Sequence, residues 1–176
     1  MSDSLQVGNS VIRLIKGDIT MLDIESFVYY ARDDLKLGSG IGGAIIVRGG
    51  PSIQEELDKL DPIDVGQTAV SEAGDLKASK IIHANGPKFQ EEDLESKLKT
   101  TVINALKTAE DNNLNRVALP AMGAGFYGVP LNVSAEITLG TIKDYLSNGA
   151  KLTEVVVCVL DKREFGPFES QLDKIS

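Results

Sequence analysis

Residues 117–130, VALPAMGAGFYGVP, decide how this chain is read. Val117, Ala118 and Leu119 end a short apolar run, the pattern of a strand buried on both faces. Gly123, Gly125 and Gly128 interrupt it, and Pro130 opens an amphipathic segment that reaches about Ser147. Strand, glycine loop and helix, in that order, make a geometry that binds phosphate. Glycines let backbone N–H groups converge with no Cβ in the way, and the helix N-terminus adds a partial positive charge. No Lys, Arg, Asp or Glu lies between Ala121 and Pro130, so an anion held here is held by backbone. The plain alternative is a tight turn between a strand and a helix.

A second glycine cluster lies upstream, at Gly38, Gly40, Gly42 and Gly43. It follows the strand-like run 26–31 (SFVYYA), rich in β-branched and aromatic residues, and the polar stretch Arg32-Asp33-Asp34. It leads into a short helical turn over 44–48, and Pro51 and Ser52 start a helix over 52–60. Before it, residues 5–7 and 11–16 pattern as two strands joined by Gly8-Asn9, a hairpin. Strands are expected at 67–73 and 80–84 around a Gly74-Asp75 turn, and again at 154–160. Residues 91–112 carry the clearest helical periodicity, with Leu94, Leu98, Val102, Ala105, Leu106 and Ala109 on one face. A final short helix falls near 165–174. Strands alternating with helices after an opening hairpin give an α/β fold: helices sandwiching a mixed sheet, parallel in its later part.

Composition sets bounds. At 176 residues and 42% hydrophobic, the chain is expected to form one domain, residues 1–176, with a sizeable core. No apolar run approaches the roughly 20 residues of a membrane span, and MSDSLQVG has no signal-peptide character. The single cysteine, Cys158, sits in a strand-like run and is expected in the core. A cytoplasmic protein follows. The net charge of −8 argues against nucleic acid as a partner, because no Lys/Arg stripe exists to displace counterions.

Both clusters match G-x-G-x-x-G, at Gly38/Gly40/Gly43 and at Gly123/Gly125/Gly128. A dinucleotide oxidoreductase needs the first glycine directly after a strand and an acid about 20 positions on, ending the next strand. Residues 32–36 intervene before Gly38, and the acids downstream of it lie in or just after a helix. For the second cluster, Asp161 comes too late, and only 15 residues follow it. There is no room for a second nucleotide-binding half. A P-loop ATPase is excluded by the lack of any G-K-[ST]. Two glycine nests at one carboxyl edge of a sheet would instead hold a ligand with two adjacent phosphates.

The segments VIRLIKGDIT (11–20), LGSGIGGAI (37–45), GQTAV (66–70), KIIHANGP (80–87) and VALPAMGAGFYGVP (117–130) occur in the order and spacing of one family. Along nearly its whole length the chain resembles a macro domain, the ADP-ribose-binding module. The resemblance implies a three-layer αβα sandwich around a mixed, largely parallel sheet. It places Asp18 where the family's acidic residue accepts from the adenine amino group, with Ile19 beside the ring. Alone, Asp18 reads as a turn or cap residue. Gly40, Ile41, Gly42 and Gly43 correspond to the first phosphate and distal-ribose loop, and Gly123, Ala124, Gly125, Phe126 and Tyr127 to the second. Phe126 takes the position that packs on the distal ribose; without the resemblance it reads as core. Phe165 either stacks on adenine or packs in the core. His83, the only histidine, reads as a buried structural residue, and no metal or cofactor is implied.

The chain departs from the family after Val28. Members typically carry Asn-Ala-Ala-Asn where this sequence has Tyr29-Tyr30-Ala31-Arg32, and the hydrolytic branch tends to carry an Asp where Gly42 stands. Arg32 either binds a phosphate or ribose hydroxyl or pairs with Asp33 or Asp34. The expectation is therefore a module that binds ADP-ribose or ADP-ribosylated species, with no membrane partner and no catalytic residue assigned. Two alternatives stand beside it: hydrolysis of ADP-ribosyl or O-acyl-ADP-ribose esters, and a scaffold that has lost ADP-ribose.

Overall fold

Strands β1 (Ser4–Val7) and β2 (Ser10–Lys16) form the expected hairpin around Gly8 and Asn9, with Val7 opposite Ser10. The computed structural model that shows this describes residues 3–176. The remaining strands are β3 (Ser26–Tyr30), β4 (Thr68–Glu72), β5 (Lys80–Ala84), β6 (Arg116–Leu119) and β7 (Glu154–Val159). All seven join one sheet in the order β1-β2-β7-β6-β3-β5-β4. The four inner pairings, from β2–β7 to β3–β5, are parallel; the outer two are antiparallel. β3 is buried at every position, as a central strand covered on both faces must be.

Two cores lie on the two faces of this sheet. On one, Ile12, Val28, Ile82, Val117 and Val157 meet helices α3 (Leu94–Asp111), α4 (Leu131–Leu146) and α5 (Lys162–Ile175). On the other, Phe27, Tyr29, Ile81, Ala118 and Val156 meet helices α1 (Ile41–Gly49) and α2 (Ser52–Leu57). The arrangement is the αβα sandwich with a mixed, largely parallel sheet that the sequence led us to expect. No helix among the described residues is long and apolar enough to cross a membrane.

Element ends differ from expectation for local reasons. α1 begins at Ile41, so Gly42 and Gly43 belong to its first turn and not to a loop before it. α3 begins at Leu94 because Gln90 and Asp93 adopt φ of 77° and 56°, which no helix accommodates. α2 stops at Leu57, its carbonyls satisfied by tighter turns through Lys59 and Leu60. α5 starts at Lys162, where Asp161 accepts from the Glu164 amide at 3.1 Å and Glu164 accepts from the Leu160 amide at 2.7 Å.

His83 is fully buried on β5, opposite Tyr29 of β3 and Ala69 of β4. Its Nε2 shares a 2.8 Å hydrogen bond with Ser71 Oγ. Burial pushes its pKa down to about 4. The unfolded chain therefore takes up a proton near pH 6.5, while the folded chain resists until about pH 4. Stability is full above that window and falls through it as pH drops, by roughly 2–3 kcal/mol between pH 7 and 4.5. Urea melts at the two pH values should show this loss reduced by about that amount in His83→Gln. Parallel profiles for the two proteins would contradict it.

Candidate functional site

Because the inner strands run parallel, the chain leaves β2, β3, β5, β6 and β7 at one edge, the edge at which open α/β sheets bind ligands. The residues following those strands line a cleft of about 580 Å³. Gly17 and Ile19 come from the end of β2, Tyr29, Tyr30 and Arg32 from β3, and Asn85 and Gly86 from β5. Gly123, Ala124, Gly125, Phe126 and Tyr127 follow β6, and Cys158 and Leu160 end β7.

The two glycine clusters face this cleft. Gly38, Ser39, Gly40 and Ile41 line it directly; Gly42 and Gly43, in the first turn of α1, do not. Gly40 sits at φ +63°, ψ −130°, and no side chain caps the helix, so its first N–H groups have no intrahelical partner. In the second cluster, residues Gly125–Tyr127 form a 3-10 turn that is likewise uncapped. Gly125 has φ +73°, and a Cβ there would meet nothing within 4 Å. Two uncapped helical N-termini thus open on one cleft.

Charge does not explain how that cleft would attract an anion. Its lining holds Arg32, Lys88 and Arg163 against Asp33, Glu91 and Glu164, three of each sign. Arg32 reaches Asp34 at 2.7 Å, both side chains substantially exposed, an arrangement worth little to stability and easily exchanged. Glu164 is committed to the start of α5.

The departure at 29–32 has a structural role that the sequence did not show. Tyr29 and Tyr30 alternate across β3, and each phenol sits beneath one glycine cluster. A Cβ on Gly42 would lie 2.5 Å from the Tyr29 hydroxyl. Tyr30 lies against the second cluster: its hydroxyl would be 3.3 Å from a Cβ on Gly123, and its ring leaves Gly86 no room for a side chain. The Tyr30 hydroxyl donates to the Pro87 carbonyl, and its ring packs on Tyr127 at 4.9 Å between centroids. Burial holds the Tyr30 pKa far above the ordinary phenol value. Phe89 N–H then donates to the Tyr127 carbonyl at 2.9 Å, closing the clasp between residues 86–89 and the second loop. A polar-tipped aromatic pair ending a central strand is the one signal that could have flagged these residues.

The other expected site residues fall as follows. Asp18 stands beside the cleft, between the lining residues Gly17 and Ile19. Its Oδ1 accepts from Thr20 N and Oγ1 at 2.9 and 2.6 Å, and its Oδ2 accepts from Arg48. Desolvation would raise its pKa, but the Thr20 bonds and Arg48 prevail and hold it below the usual carboxylate range. Phe126 is 90% exposed, its edge on Tyr127 at 5.3 Å, so the reading of it as core is wrong. Phe165 packs against the α3–α5 core and is not part of the lining, where the exposed Leu160 stands instead. Cys158 is buried as expected yet also lines the cleft, its pKa pushed up to about 12 by burial. His83 is not part of the lining. Among the described residues no cluster of His, Cys, Asp and Glu could hold a metal.

A family model for the macro domain matches residues 30–138. A protein of Sulfurisphaera tokodaii is 37% identical over 90% of this chain and 88% of its own. A macro domain-containing protein of Caldanaerobacter subterraneus is 33% identical, covering 93% of this chain and 97% of its own. The ADP-ribose glycohydrolase MACROD2 of Mus musculus is 30% identical over 93% of this chain, which spans only 35% of that protein. Among solved structures, the Oceanobacillus iheyensis macrodomain with ADP superposes with a TM-score of 0.93, covering 98% and 95% of the two chains at 23% identity. The Trypanosoma brucei macrodomain in complex with ADP-ribose gives 0.86, covering 92% and 68%, also at 23% identity. These two share the fold. On the family match and the extent of the sequence relatives, the chain belongs to the macro domain family.

Proposed function

We propose that this protein binds ADP-ribose in the cleft, with its diphosphate between the two glycine clusters. The observation that carries the reading is the pair of uncapped helical N-termini opening on one cleft with no net cationic lining. Backbone N–H groups at Gly40 and Ile41 serve one side; those of Gly123, Gly125, Phe126 and Tyr127 serve the other, the Ala124 amide being taken up by the Ala121 carbonyl. A macrodomain of the same fold was solved with ADP-ribose, which supports the choice of ligand. ADP-ribosylated species are then the natural partners.

Asp18 suits the base. Oδ1 already accepts two hydrogen bonds and Oδ2 accepts one, leaving a single lone pair for the adenine amine, a donor. Ile19 and Leu160 offer apolar surface beside it, and the exposed Phe126 and Arg32 stand for the distal ribose. Phe165 has no part in this arrangement.

Calorimetry tests the reading. Wild type should give measurable heat with ADP-ribose, and Gly125→Val should abolish it; the added Cβ meets no other residue, so the cost to the fold is the local strain of a φ of +73°, about 1–3 kcal/mol, and the variant should still melt cooperatively. A folded wild type that gives no heat at millimolar ADP-ribose would leave the scaffold reading. Asp18→Ala should weaken binding by about 1.5–3 kcal/mol and erase discrimination against the inosine analogue. Retained selectivity would move base recognition elsewhere.

The glycohydrolase name of the mouse relative favours a second reading, hydrolysis at the distal ribose. That chemistry needs a positioned water and a group that orients it or takes its proton. Arg32 offers only hydrogen-bond donors and Gly42 has no side chain, and His83, its pKa pushed down to about 4 by burial, is not part of the cleft lining. We expect little or no release of ADP-ribose from a modified acidic side chain. An Asp at position 42 would strike the Tyr29 hydroxyl, so a variant built for hydrolysis must be Tyr29→Asn/Arg32→Asn/Gly42→Asp. Turnover gained only in the triple variant supports the binding reading; brisk turnover by wild type contradicts it.

A further inference from the structure

The two phenols that end β3 differ in one respect. Tyr30 has committed its proton to the Pro87 carbonyl. Tyr29 has not: among the described residues no carbonyl or carboxylate accepts from its hydroxyl, although the residue is only 8% exposed and lines the cleft. The Gly38 backbone N–H lies near the phenol oxygen and favours its anion, and an N–H cannot accept the phenol's proton, so the O–H remains a donor. Gly42 lies over the oxygen with no room for a side chain, and the His83 ring meets the Tyr29 ring edge-on at 6.0 Å. The ring is therefore held in place, its hydroxyl beside the first glycine cluster in a residue that lines the cleft. Burial raises its pKa, so the proton stays on at neutral pH.

We propose that Tyr29 is a ligand-contacting, specificity-determining residue whose hydroxyl donates to a ligand phosphate at the first glycine cluster, an inference that rests on the ADP-ribose reading above. A buried phenol suits that task. It supplies a strong donor without a charge that would have to be desolvated in the empty cleft. It also explains Gly42: the absence of a side chain there is what lets the hydroxyl reach the cluster.

The test is a titration followed by NMR, with ADP-ribose and with adenosine, which lacks phosphate. Tyr29→Phe should weaken ADP-ribose binding by about tenfold or more, the size expected for a hydrogen bond to a charged group, and leave adenosine binding unchanged. Gly42→Ala, whose methyl would displace the hydroxyl, should give the same split and keeps the test open if Tyr29→Phe fails to fold. Equal losses for the two ligands would show that Tyr29 only packs, and undiminished ADP-ribose binding by Tyr29→Phe would equally overturn the proposal. Wild type that binds neither ligand would overturn the ADP-ribose reading together with it.

Discussion

The carboxyl end of β3 is the fixed point of this molecule. β3 is central, buried on both faces and paired in parallel with β5 and β6, so its last residues have one position available to them. Tyr29 and Tyr30 carry that rigidity sideways. One lies under Gly42 and the other against Gly86, Gly123 and Tyr127, so both glycine clusters are packed against one strand end. A buried phenol that gives its proton to a carbonyl is stabilising, and removing either partner leaves a polar group unpaired at a cost of about 1–3 kcal/mol. The spacing of the two clusters is thereby tied to the most protected part of the sheet.

With that spacing set, the cleft carries no net formal charge. The lining balances three cations against three anions in a chain of net charge −8. An anionic ligand must therefore be met by oriented backbone dipoles at short range, where the first turn of a helix is effective and a distant surface charge is screened. The glycines at 40 and 125 adopt φ of +63° and +73°, a region that glycine enters without a Cβ penalty. An ordinary side chain at either position would be strained.

Much of this was legible in the sequence. Alternation of strand and helix gave the sandwich, Gly8-Asn9 gave the hairpin, and the two glycine clusters gave the edge of the sheet at which to look for a site. What stayed hidden depends on contacts between distant residues. Tyr30 and Pro87 are 57 residues apart, and nothing local announces their hydrogen bond. Gly42 reads as part of a flexible cluster, yet it is a helical residue under a phenol. Gly166 and Pro167 disguise the early start of α5, which Asp161 and Glu164 secure from the other side. Phe126 reads as core only when the family resemblance is set aside, because apolar residues usually are; its 90% exposure on a turn lining the cleft shows otherwise.

If backbone amides from both clusters hold one diphosphate, the bound ligand must touch both. A crystal structure of the protein with ADP-ribose tests it most directly. The diphosphate should lie between the N-terminus of α1 and the Gly125–Tyr127 turn, its oxygens within hydrogen-bond distance of amides on both sides. A diphosphate resting on Arg32, Lys88 or Arg163 alone, with either cluster unengaged, would contradict it.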